Sequence, residues 1–144
     1  MTRLAQLLLI LALVGGGYQW WKSHERASFE RKVLASANHN GFVPVEMPDG
    51  APANTVVILA PLNCPREAGQ RAEALAKRLT EMGIPNLKTN HYSVQDVRLE
   101  RFDALNRTAV ILRGEIPIVM INGRGKANPT IDQVTAEYGV PRNK

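Results

Sequence analysis

From Leu4 to Trp21 the chain runs eighteen residues without a charge, interrupted only by Gln6 and Gln19. As a helix this stretch would span about 27 Å, close to the hydrocarbon thickness of a bilayer. A different pattern follows at Val56–Ala60, an unbroken run rich in β-branched residues and too short for a helix, which predicts a strand buried on both faces. Ala68, Ala72, Leu75, Ala76, Leu79 and Met82 then recur at three- and four-residue spacing, with Arg71, Glu73, Lys77, Arg78 and Glu81 between them. That is the stripe of an amphipathic helix with a solvent face, stopped by Gly83 and Pro85.

The remaining segments are shorter. Phe42–Met47 reads as a strand that Pro44 confines to a sheet edge, and Ile84–Val94 as another strand. Val97, Phe102 and Leu105 predict a helix over Asp96–Asn106, with Ala109–Leu112 either its end or a further strand. Ile116–Ile121 is a buried strand entered through Pro117, and Asn122-Gly123 is a hairpin turn that returns as Arg124–Ala127. Thr130 and Gln133 form a capping box for a helix whose Ile131, Val134 and Tyr138 face inward. The resulting class is α/β, a central mixed sheet flanked by helices, preceded by an N-terminal transmembrane helix. The expected boundaries are 1–21 for the anchor, 22–40 for a helical stalk and 41–144 for the domain.

Two readings of the first segment stand. Tyr18, Trp20 and Trp21, followed at once by Lys22, resemble the aromatic belt of a retained anchor. Arg3 and the glycines before Tyr18 also fit a cleaved signal peptide, although such a peptide has no use for the belt. Neither reading fixes the side of the membrane on which the domain lies. Charge excludes one class of function. The formal net charge is +5, but residues 42–144 hold 13 Lys and Arg against 11 Asp and Glu, or +2, so +3 belongs to the first 41 residues. No basic recognition surface follows, and nucleic acid is not an expected partner.

Candidate chemistry is confined to one place. The only cysteine, Cys64, falls between the Val56–Ala60 strand and the amphipathic helix, with Asn63 as a candidate N-cap and Pro65 suited to the first helical turn. A helix N-terminus stabilises a thiolate through its unpaired N–H groups and dipole, and Arg66 adds to this while Glu67 opposes it. A lone cysteine in a small apolar-flanked loop is also an ordinary inert filler. His24, His39 and His91 share no ligand spacing with each other or with Cys64, so neither a metal nor another cofactor is expected.

Cys64-Pro65-Arg66-Glu67, Ile116-Pro117 and Asn122-Gly123, in this order of elements, resemble the thioredoxin-like fold and within it the glutaredoxin branch. The resemblance implies that Cys64 is the active thiol and that Pro117 is a cis-proline beside it. Glu67 stands where that branch has its resolving cysteine, which removes an intramolecular dithiol cycle. Pro61 replaces its usual lysine, and Gly125-Lys126-Ala127-Asn128-Pro129 replaces the motif that helps hold glutathione, so glutathione binding is in doubt. The expectation is a membrane-anchored thioredoxin-like protein acting on a protein partner by monothiol exchange or thiol sensing through Cys64. The alternative is a redox-inactive module of the same fold that presents a binding surface at a membrane. Whether the protein is an enzyme is open between these two.

Overall fold

The computed structural model describes residues 2–139, which separate into two compact units on either side of the Ala35–Ser36 junction. The first unit is a single helix, α1 (Thr2–Ala35), so the apolar run and the charged segment after it are continuous helix. It is long and apolar enough to cross a membrane. Its leucines are more than half exposed, as expected of a helix with no polar face to turn to water. Near the end of the apolar run, Trp20 stacks on His24 at 5.5 Å between ring centroids, and the Lys22 ammonium lies 5.8 Å from the Tyr18 ring.

The second unit is an α/β domain built on a five-stranded mixed sheet of order β1-β5-β4-β2-β3. The strands are β1 (Val43–Pro44), β2 (Val56–Leu59), β3 (Asn86–Thr89), β4 (Ile118–Ile121) and β5 (Arg124–Ala127). β2 runs parallel to β3, while the β2–β4, β4–β5 and β1–β5 pairs are antiparallel. The two central apolar runs, β2 and β4, are buried at every position, and the short outer strands β1 and β3 are not. Pro44 lies on an edge strand, where its missing N–H costs no ladder bond. Asn122 and Gly123, at φ of 49° and 82°, make the tight β4–β5 turn, a conformation that glycine adopts without steric penalty.

Side chains alternate across the sheet. Val56, Ile58, Val119 and Ile121 join Phe42 and the apolar stripes of α2 (Glu67–Glu81) and α4 (Ile131–Tyr138) in one core layer. On the opposite face α3 (Phe102–Leu112) packs over β1 and β5 and buries Val110 and Ile111. The segment Ala109–Leu112 is therefore the end of a helix. The expected helix over Asp96–Asn106 starts later, at Phe102, after a 3-10 turn at Leu99–Arg101. The helical spacing of Val97 and Phe102 misleads because both side chains face solvent.

The first residues of the domain are held by a buried carboxylate. Glu137, 3% exposed on α4, accepts hydrogen bonds from Asn38 Nδ2 at 2.8 Å and Asn40 Nδ2 at 2.9 Å, and lies 3.6 Å from Arg124 Nε. Asn38 Oδ1 in turn accepts the backbone N–H groups of Asn40 and Phe42, so the loop before β1 is cross-tied. A carboxylate this deep persists because its lone pairs are satisfied.

Candidate functional site

Because β3 runs with β2 and β4 runs against it, the exits of β2 and β3 and the entry to β4 meet at one end of the sheet. Leu59 pairs there with Thr89 on one side and Ile118 on the other. The loop carrying Cys64 leaves β2 at this end, and Ile116-Pro117 enters β4 at the same end. The Ile116–Pro117 peptide is cis and Pro117 is buried, while Cys64 is a free, half-buried thiol.

The local placement of Cys64 differs from the sequence expectation in one respect. Asn63 does not cap the helix: it has a φ of 54° and belongs to a turn, and the N-cap is Arg66, which makes no side-chain capping bond. Pro65 accordingly precedes the helix instead of starting it. The displacement has a local cause, because the Pro65 carbonyl accepts from Gln70 Nε2 at 2.9 Å and the loop folds back over the first turn. The fold-back needs Gly69. A β-carbon built there would lie 2.2 Å from the Cys64 carbonyl oxygen and 2.7 Å from the Cys64 Cβ, distances that no side chain tolerates.

Glu67 does lie on the first turn of α2, and it faces Arg71 one turn on. Arg71, assigned from sequence to the solvent face, is instead the centre of the site. Its guanidinium donates to Glu67 Oε1 at 2.9 Å, to Glu115 Oε1 at 2.7 Å and to the Ile116 carbonyl at 2.9 Å. One planar cation thus joins the helix that follows Cys64 to the residue that precedes Pro117, a use to which the rigid guanidinium fork is suited. Its Nε is buried and is the one buried side-chain polar atom without a partner among the described residues. Glu67 to Arg71 was visible in sequence as a favourable i, i+4 pair. Glu115 and Ile116 lie 44 and 45 positions away, and no local signal connects them to Arg71.

Two grooves flank this arrangement. One, of about 540 Å³, runs between α2 and the β5–α4 connection and is walled by Arg71, Leu75, Pro117, Asn128 and Thr130. The other, of about 450 Å³, lies on the α3 face and is walled by Leu59, Leu62, Tyr92, Leu112 and Ile116. Its floor is mainly aliphatic. Tyr92 supplies a polar rim group whose hydroxyl donates to the Glu46 carbonyl at 3.0 Å. Burial raises the Tyr92 phenol above its ordinary value, and the Glu46 and Asp49 carboxylates push the same way. The arrangement thus places a half-buried thiol and a buried cis-proline at one end of the sheet, beside two grooves, neither of which Cys64 lines. The chain matches no protein-family model, no curated protein and no solved structure.

Proposed function

We propose that residues 41–144 form a thioredoxin-like domain of the glutaredoxin branch, held at a membrane by α1 and engaging a protein partner through Cys64 as a single exchanging thiol. The observation that carries this reading is the Arg71 bridge. It ties the first turn of α2, just after Cys64, to the Ile116 carbonyl, just before the cis Pro117 peptide, at one end of the sheet. Further support comes from the order of elements, in which a parallel β2–β3 pair is extended by antiparallel β4 and β5 and closed by α4.

In this reading the Cys64 thiolate attacks one sulfur of a partner disulfide. The Cys64–S bond forms as the partner's S–S bond breaks, and the departing sulfur leaves as a thiolate that takes a proton from water. The described chain has no second thiol, so the mixed disulfide persists until an external thiol displaces Cys64. Trapping is therefore the natural outcome, and turnover depends on the partner.

A redox-inactive binding module is the second reading. It is favoured by Glu67, which stands in the place of a resolving cysteine and is already engaged by Arg71. Thiol trapping followed by mass spectrometry of the native membrane fraction separates the two. Exchange predicts Cys64 joined to a partner, with the adduct lost in Cys64→Ser. A uniformly free Cys64 that still co-purifies with the same partner supports the module and overturns exchange. Recovery of full-length chain in the soluble fraction after high salt would sink the tether.

A further inference from the structure

The chain holds two Asn-Gly steps, Asn40-Gly41 and Asn122-Gly123. Such a step is open to one uncatalysed reaction, because glycine presents its backbone nitrogen with no side chain in the way. That nitrogen gives up its proton to water and attacks the asparagine Cγ. The N–Cγ bond forms as the Cγ–Nδ2 bond breaks, ammonia leaves carrying a proton taken back from water, and a succinimide ring remains. Water then adds to either ring carbonyl. The product is aspartate or, where the main chain is rerouted through Cβ and Cγ, isoaspartate.

The two steps stand in opposite surroundings. At Asn40 both reacting groups are engaged: Nδ2 donates to the buried Glu137 carboxylate at 2.9 Å, and the Gly41 N–H donates to the Asn38 carbonyl at 2.8 Å. The space beside Gly41 is filled as well, since a β-carbon built there would run into the Lys126 side chain. At Asn122 neither group is held. Among the described residues the Asn122 amide and the Gly123 N–H make no hydrogen bond. Apart from its chain neighbours, no atom lies within 4 Å of where a Gly123 β-carbon would sit. Both residues are half-exposed at the β4–β5 turn, so water reaches them.

We propose that Asn122-Gly123 is a modification site, converted without an enzyme to isoaspartate, and that the change unfastens β1 from the sheet as the protein ages. The Gly123 carbonyl accepts the Val45 N–H at 2.9 Å, next to the pairing of β1 with Arg124 and Gly125. An extra main-chain carbon in a two-residue turn moves that carbonyl and shifts Arg124 and Gly125 against β4. The new carboxylate also joins Glu46 and Asp49 in lining a cleft of about 310 Å³, where Arg101 is the cation. Glu137 shields Asn40-Gly41 from the same reaction, so the loop before β1 stays tied while the far end of the strand is released. The reaction involves neither Cys64 nor α1.

Full-length protein in detergent, incubated in mildly alkaline buffer with and without urea and sampled over days, tests the site through peptide mapping that separates isoaspartate from aspartate. In the folded chain the Asn122 peptide should convert about tenfold faster than the Asn40 peptide or more, the worth of the two hydrogen bonds that hold Asn40 back. In urea the two rates should converge. Equal rates in the folded chain, or one ratio with and without urea, overturn the proposal. Aged protein should also show faster hydrogen exchange in the peptide carrying Val45 and a lower urea midpoint. Asn122→Gly keeps a residue suited to positive φ and lacks the amide, so it should age with neither change. Isoaspartate at 122 with unchanged Val45 exchange overturns the unfastening, and an equal loss of stability in Asn122→Gly overturns the assignment to this turn.

Discussion

Gly69 decides how near the Cys64 loop lies to α2. With a β-carbon the Cys64 carbonyl, 2.2 Å away, has to move, and the obstacle is backbone and not a flexible side chain. Gly69→Ala should therefore destabilise the domain by about 1–3 kcal/mol, despite alanine's better helix propensity. It should also change the alkylation rate of Cys64, because the loop that sets the thiol's exposure is displaced. Urea unfolding and a timed iodoacetamide reaction on the same sample check both effects; an unchanged rate together with a stabilised fold would mean that the approach is not a constraint. In sequence Gly69 was only a small residue inside a helical stripe. Arg71 was equally opaque, since its partners at 115 and 116 come from another element. Asn63 was misread because its preference for left-handed backbone in turns competes with its preference for N-caps, and the turn wins here.

At the scale of elements, what could be read in advance was what is encoded locally. The Asn122-Gly123 turn fixes the register of β4 on β5, and the return strand falls at Arg124–Ala127 as its pattern indicates. The Thr130 capping box forms in both directions, Thr130 Oγ1 accepting the Gln133 N–H at 3.3 Å and Gln133 Oε1 accepting the Thr130 N–H at 3.0 Å. Because α4 has only eight residues, its start is a large part of its stability. Thr130→Ala should cost about 0.5–2 kcal/mol, with Thr130→Ser retaining most of the wild-type value in chemical denaturation. Equal losses for the two would show that the methyl group, and not the cap, is what matters. The segment 96–101 was illegible for the opposite reason. Periodicity detects a face only when that face is buried, and Val97 and Leu99 are not.

For the molecule as a whole, stability responds to pH through Tyr92, which joins the β3 exit to the residue after β1's neighbour Val45. Its folded pKa is raised above the ordinary phenol value of about 10, chiefly by burial, so above about pH 10 the unfolded chain loses this proton more readily than the folded one. The folded state then binds more protons, and stability falls as pH rises. The contribution is fully present below the unfolded value and is lost as pH climbs through the folded one. Tyr92→Phe should flatten this alkaline limb while costing about 0.5–1.5 kcal/mol near neutrality for the lost hydrogen bond to Glu46. Denaturation midpoints measured from pH 8 to about 11 check it; identical slopes for the two proteins would assign the limb to other groups.

Glu137 bears on how the domain answers a pull. Tension that enters through α1 reaches the domain at Asn38 and Asn40, and both amides are fastened to a carboxylate on the last helix, 99 and 97 positions along the chain. The tug is thereby handed to α4, and β1 is spared from being peeled off the sheet edge strand-first. Glu137→Ala cuts that route, so in single-molecule stretching from the N-terminus β1 should detach as a separate early event at lower force than in the parent. A single rupture at unchanged force would show that the two asparagines do not share the tension.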